Sequence, residues 1–299
     1  MKYGKPPLSC EDQASLIISR GMIVDDRDRL ISILRSVNYY RLSAYWYPFR
    51  IDDDSFKKGT NFFEIWRRYT FDRQLRLLVM DAIERIEISV KAKTVNAFSL
   101  KYGAFGHLDR KNFNKFPADA HQRFVEEIKA NTKRSNESFV SHFKIKYHEE
   151  SHLPLWMATE LMTFGNMFTM FRYLDFYLQR DIAKEFGVPA KVFESWLQTI
   201  NYVRNICAHH ARLWNREFAI KPVIPNKQRD WLYPVKIENN RLFGLLTVLK
   251  YLLEYCAPYS LWYGRLQELL KKYEDVSQVF MGFPDNWQKC PIWTRSELK

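Results

Sequence analysis

Between residues 61 and 102 apolar side chains return at steps of three and four: Phe71, Leu75, Leu78, Ala82, Ile86 and Val90. That rhythm follows the 3.6-residue turn of a helix, not the two-residue alternation of a strand, and Gly103 supplies a stop. A chain with so long a helix has to build its core around it. The remaining segments agree. Ser9, followed by Glu11 and Asp12, starts a short helix that Gly21 ends, and a second helix spans about residues 26 to 36. Residues 118 to 150 read as two polar helices broken near 131 to 136, and residues 154 to 179 as one strongly apolar helix after Pro154. From Pro189, well placed at a helix start, the pattern runs without a breaker to about Arg216. Pro222, Pro225 and Pro234 then mark an irregular connection before two more helices, near residues 240 to 256 and 260 to 273. No strand-turn-strand pattern and no internal repeat stands out. The expected class is all-α, with a helical N-terminal region, residues 1 to 60, packed on a helical domain, residues 61 to 299.

Composition narrows the partners. With 46% hydrophobic and 27% charged residues the 299-residue chain is expected to be ordered and to bury a real core. Lys plus Arg is 46 against 34 for Asp plus Glu, a net charge of +12, which favours an anionic partner and nucleic acid above others. Aromatics are plentiful, and NYYRLSAYWYPF at residues 38 to 49 is so dense in Tyr that it must pack on a neighbour or offer stacking faces. The start, MKYGKPPLSCEDQ, has no apolar stretch of secretory-signal length. Residues 153 to 174 carry Glu160, Asn166 and Arg172, and residues 242 to 257 carry Lys250 and Glu254, so both read as buried helices and not as membrane spans. Cys10, Cys207, Cys256 and Cys290 are far apart and form no CxxC pair, which fits four reduced thiols in a cytoplasmic protein.

Two segments carry residues suited to chemistry. HEESH, His148 to His152, has the spacing of a zinc protease helix, in which two histidines one turn apart bind the metal and the glutamate activates water. Its context argues otherwise, because Leu153 precedes Pro154 and is biased away from helix, and no third ligand flanks it. No metal or other cofactor is expected. The second segment is RNICAHHARLWNR, residues 204 to 216. Treated as one helix with Asn205 at zero, it places Asn201 at about −40°, His209 at about +40°, Arg212 at about −20° and Arg216 at about +20°. Ile200, Val203, Cys207, Ala211 and Trp214 fall on the opposite, apolar side, while Arg204 lies about 100° to one side of the polar stripe and His210 about 140° to the other. Asn and His are poorer helix formers than Glu or Lys, so an inert wet face has little reason to choose them.

Arg204-Asn205-Ile206-Cys207-Ala208-His209 resembles the RNxxxH form of the Arg-x4-6-His motif of HEPN-superfamily ribonucleases, and His210 also satisfies the spacing, which leaves two candidate histidines. Nearly the whole chain is similar to the Abi-like abortive-infection proteins of the AbiD/AbiF type. The blocks that carry this are KPPLSCEDQASLIISRGM, NYYRLSAYWYPF, FDRQLRLLVMDAIERIEISVKAK, LPLWMATELMTFG, NYVRNICAHHARLWNR and MGFPDNW. The resemblance implies a HEPN-like helical bundle and metal-independent RNA cleavage by attack of a ribose 2′-hydroxyl. It makes Arg204 and His209 the catalytic pair; Asn205, His210, and from the wheel Arg212 and Arg216, are expected to support catalysis or RNA binding. It further implies a homodimer whose two motifs share one cleft, antiphage defence, and in some relatives a toxin restrained by a structured RNA. Composition supports one rival equally well, an RNA-binding or adaptor protein that cuts nothing; a third reading is a structural helical protein whose histidines are satisfied core or interface groups.

Overall fold

Asn61 and Gly103 delimit the element around which the protein is built. A computed structural model, which describes Lys2, Gly4 and residues 6 to 295, has one unbroken helix between them. The Asn61 side chain caps the first turn by accepting from the Phe63 N–H at 2.7 Å, and Gly103 ends the last at φ +77°, where a side chain would be strained. In chain order the helices are α1 (Cys10–Ser19), α2 (Arg27–Val37), α3 (Tyr39–Trp46), α4 (Phe62–Tyr102), α5 (Ala118–Arg134), α6 (Ser138–Lys146), α7 (Leu155–Ala158), α8 (Phe164–Tyr173), α9 (Phe176–Lys184), α10 (Ala190–Ala208), α11 (Leu242–Cys256), α12 (Trp262–Lys272) and α13 (Pro291–Thr294). The described residues contain two isolated β-bridges, Ile23 with Asn61 and Arg50 with Phe56, and no longer strand, so the protein is all-α. Met1 and Lys299, the outer bounds of the two expected regions, lie outside the described residues.

At 41 residues α4 is about 60 Å long. It packs against α3, α7, α9, α10, α11 and α12. Leu75, Val79, Ala82, Ile83, Ile86 and Val90 are all essentially removed from solvent and form one stripe about 100° wide that faces the core. α11 is buried almost all round, from Leu242 to Leu253, and lies against α4. A hydrogen bond from Trp262 Nε1 to the Leu78 carbonyl, 2.8 Å, docks α12 on α4. No helix among the described residues is long and apolar enough to cross a membrane.

Two expected helices are shorter than their patterns. Residues 154 to 179 do not form one helix but α7, a short 3-10 turn, α8 and the start of α9. Side-chain oxygens restart the ladder twice: Thr163 and Asn166 form a capping box, and Asp175 accepts from the N–H groups of Tyr177 and Leu178. The helix expected to reach Arg216 stops at Ala208.

Candidate functional site

The end of α10 places the motif. Its last turn closes with the Ala211 N–H on the Ile206 carbonyl at 2.9 Å and the His210 N–H on the Cys207 carbonyl at 3.0 Å. This pair is the Schellman closure, which needs a residue in the left-handed region just past the helix. His210 fills that position at φ +55°, where glycine is usual. His209 is the cap residue itself. After this turn the backbone leaves the helix axis, so Arg212, Trp214 and Arg216 do not lie on the wheel positions that a continuous helix would give them.

What pulls the chain away is a carboxylate on α4. Asp72 is fully buried, and one of its oxygens accepts from the backbone N–H groups of Leu213 at 3.1 Å and Trp214 at 2.6 Å. Its other oxygen accepts from the Tyr45 hydroxyl of α3 at 2.5 Å and pairs with Arg76 one helical turn further along α4. Each partner answers part of the desolvation cost that an isolated buried charge could not bear. Burial pushes the Asp72 carboxyl up, while Arg76, Tyr45 and the two N–H groups pull it back. The Tyr45 hydroxyl is held protonated by burial and by the Asp72 charge, and its ring stacks 6.5 Å from that of Trp214.

Around this knot α3 and the loop exchange arginines. Arg41 donates to the His210 carbonyl at 2.6 Å, and Arg212 donates to the Ala44 carbonyl at 2.5 Å. Burial lowers the pKa of Arg212. Arg216 Nε bonds the Arg212 carbonyl at 2.7 Å. Of the Tyr-rich block, Tyr45 and Trp46 are therefore packing residues, while Tyr40 and Tyr47 face solvent.

The expected site residues separate into two groups. Asn205, His209 and His210 are exposed and Arg204 half-buried at the end of α10. Asn205 and His209 stay on one side of the helix, joined through the His209 N–H and the Asn205 carbonyl at 3.0 Å. Arg212 and Arg216 are instead half-buried and occupied with backbone carbonyls, so in this conformation they brace the loop. Cys207, on the inner side, has its thiol pushed up to about 12 by burial and by Asp72, which makes it a poor nucleophile. Sequence reasoning missed Asp72, Arg76 and Tyr45. The available signal was an opposite-charge pair four residues apart on α4, interleaved with the apolar positions Phe71 and Leu75.

HEESH lies beyond the end of α6 in turns and bends, and His152 Nδ1 is paired with the Ser151 hydroxyl at 2.8 Å. The two histidines consequently lack the one-turn helical relation that a zinc protease uses.

Residues 32 to 215 match the model of a family described as Abi-like protein, a span that takes in α3, α4 and the whole of the Arg-His motif. No curated protein and no solved structure matches the chain.

Proposed function

The chain belongs to the Abi-like family, which suggests abortive-infection defence, and from that premise we propose a metal-independent endoribonuclease of a toxin-type antiphage system, built on a HEPN-like bundle. The observation that carries the proposal is the end of α10: an exposed His209 one turn after Asn205, with Arg204 next to Asn205, followed by a loop that α3 and α4 fix from behind. Histidine exchanges protons near neutral pH, and arginine keeps its charge while offering a planar fork to phosphate. In the proposed reaction His209 accepts the proton of a ribose 2′-hydroxyl as that oxygen bonds the adjacent phosphorus. The 5′-oxygen leaves and takes a proton, and a cyclic phosphate ends the upstream fragment. Arg204 stabilises the charge that gathers on the phosphoryl oxygens, and Asn205 orients the imidazole or a phosphate oxygen. His210 supports the site from the adjoining position.

Arg204 and His209 are five residues apart, about 140° around the helix. A homodimer that apposes two α10 ends would set the arginine of one copy against the histidine of the other. Restraint by a structured RNA and action in the cytoplasm complete the proposal.

The second reading is a protein that grips RNA with the same groups and cuts nothing, since exposure of Asn205 and both histidines serves recognition as well as catalysis. Incubation of purified protein with mixed RNA in EDTA decides between them. Cleavage by the native protein and none by Arg204→Ala or His209→Ala is expected; intact RNA in every lane would favour the binding module, and cleavage that survives both substitutions would move the site elsewhere.

A further inference from the structure

The connection between α10 and α11 has almost no regular structure, yet it is held in register along α10. Phe218 packs edge-on against Tyr202, with ring centroids 6.3 Å apart. Further along, the Val223 N–H donates to Ser195 Oγ at 2.9 Å, Trp196 Nε1 donates to the Val223 carbonyl at 2.8 Å, and Gln228 Nε2 donates to the Gly187 carbonyl at 3.0 Å. From Phe218 to Gln228, as the numbers in the connection rise, their partners on and before α10 fall, and Trp231 then returns to Trp196. The segment therefore runs antiparallel to α10, from the motif end back to the helix start. Phe218, Pro222, Pro225 and Trp231 are its buried anchors, and the Trp231 ring lies 5.2 Å from that of Trp196.

What it leaves outside is cationic and aromatic. Residues 201 to 241 contain eight Lys or Arg and three Asp or Glu. Lys221, Lys227 and Arg229 are exposed. The ion pair of Lys221 with Glu217, at 3.9 Å, joins two exposed side chains and is weak in water. The Arg229 guanidinium lies 5.3 Å from the ring centroid of Tyr233, which is 61% exposed. Exposed cations beside an exposed aromatic ring suit a flexible polyanion that carries flat rings: phosphates meet the cations and a base stacks on the ring. A duplex hides its base faces, and a peptide of acidic residues alone has no ring for Tyr233.

We propose that residues 216 to 233 form a track for single-stranded RNA that leads from the end of α10 back along the helix, with Lys221, Lys227 and Arg229 at phosphates and Tyr233 beneath a base. This rests on the RNA-directed reading of the motif and extends it to how the strand is held. α10 has 19 residues, so the track spans about 28 Å, room for about eight nucleotides at stacked spacing.

Fluorescence anisotropy with a labelled 12-nucleotide 2′-O-methyl RNA, which cannot undergo 2′-hydroxyl attack, tests the track on the full chain across a range of KCl. The Lys221→Ala/Lys227→Ala/Arg229→Ala variant should bind more than tenfold more weakly, with a log–log salt slope shallower by about two, because each neutralised phosphate of a single strand contributes about 0.7. Tyr233→Ala should bind about five- to a hundredfold more weakly with the slope unchanged, since stacking releases no counterions. Circular dichroism checks that these surface variants fold. Unaltered slope and affinity in the triple variant, equal binding of a duplex of the same length, or equal competition by a polyglutamate peptide would each overturn the track. If the motif variants abolish cleavage while the track variants bind as the native protein does, only the track fails; if the track variants lose binding while the native protein never cleaves, only the nuclease reading fails.

Discussion

Replacing His210 by glycine should make the protein more stable, against the usual direction of a substitution. His210 sits at φ +55° to close α10, and an L-residue in that region costs about 1–2 kcal/mol. Among the described residues its hydrogen bonds are main-chain ones: its N–H to the Cys207 carbonyl, and its carbonyl from Arg41. Glycine keeps both and removes the clash of the Cβ with its own backbone. Against this, glycine has more freedom to lose on folding, about 0.5–1 kcal/mol. The net expectation is a gain of about 0.5–1 kcal/mol, or a rise in Tm of about 1–4 °C. Urea unfolding monitored by tryptophan fluorescence measures it, with His210→Ala as the control, since alanine keeps the Cβ and should gain nothing. A glycine variant less stable than the native protein would refute the reasoning, because the imidazole would then be contributing native contacts worth more than the strain. If the variant is more stable and also cleaves RNA more slowly, the strain is retained for the imidazole's sake.

The remaining expectations concern the groups behind the motif and one buried histidine. Asp72→Ala leaves Arg76 buried without its partner and two backbone N–H groups unanswered, and should cost about 3–5 kcal/mol in urea unfolding; a loss under about 1 kcal/mol would mean that the loop does not depend on the carboxylate. Tyr45→Phe keeps the ring against Trp214 and removes only the hydroxyl, so a loss of about 1–2 kcal/mol is expected, with faster amide exchange at Leu213 and Trp214. His107 is fully buried, neither ring nitrogen has a hydrogen-bond partner among the described residues, and burial, with the His152 and His121 charges, lowers its pKa from 6.5 to about 4. A depressed folded-state value means that the unfolded chain binds the extra proton first. The stability held above pH 6.5 should therefore drain as pH falls toward 4, by up to about 3 kcal/mol. His107→Phe should flatten that part of the pH profile, and a profile identical to the native one would exclude His107 as its source.

The fold was largely legible because its strongest signals are local. The 3.6-residue period of α4, with a capping Asn61 and a terminating Gly103, needs no tertiary information, and the apolar run of α11 is buried as its composition suggests. The motif was legible as a string, Arg204 through His210, but its geometry was not. A helical wheel assumes that the helix continues, whereas α10 is ended by a histidine in a conformation usually given to glycine and by a carboxylate 141 residues away in sequence. Neither leaves a trace in local propensity. The same long-range capture explains why Arg212 and Arg216, in line with His209 on the wheel, face backbone carbonyls in the folded chain.

The site residues and the residues that hold them therefore come from distant parts of the chain. α3 supplies Tyr45 and Arg41, α4 supplies Asp72 and Arg76, and the loop after α10 supplies Arg212 and the two N–H groups that Asp72 accepts. A strained histidine persists only where its surroundings over-determine it. Here the main chain from His210 to Trp214 is gripped at His210 by Arg41 and at Leu213 and Trp214 by Asp72, while Arg212 reaches back to α3. Shifting α3 breaks three of these contacts together, those of Arg41, Tyr45 and Arg212. The N-terminal region is thus joined to the Arg-His motif by direct bonds, so whatever moves the N-terminal helices acts on the presentation of His209.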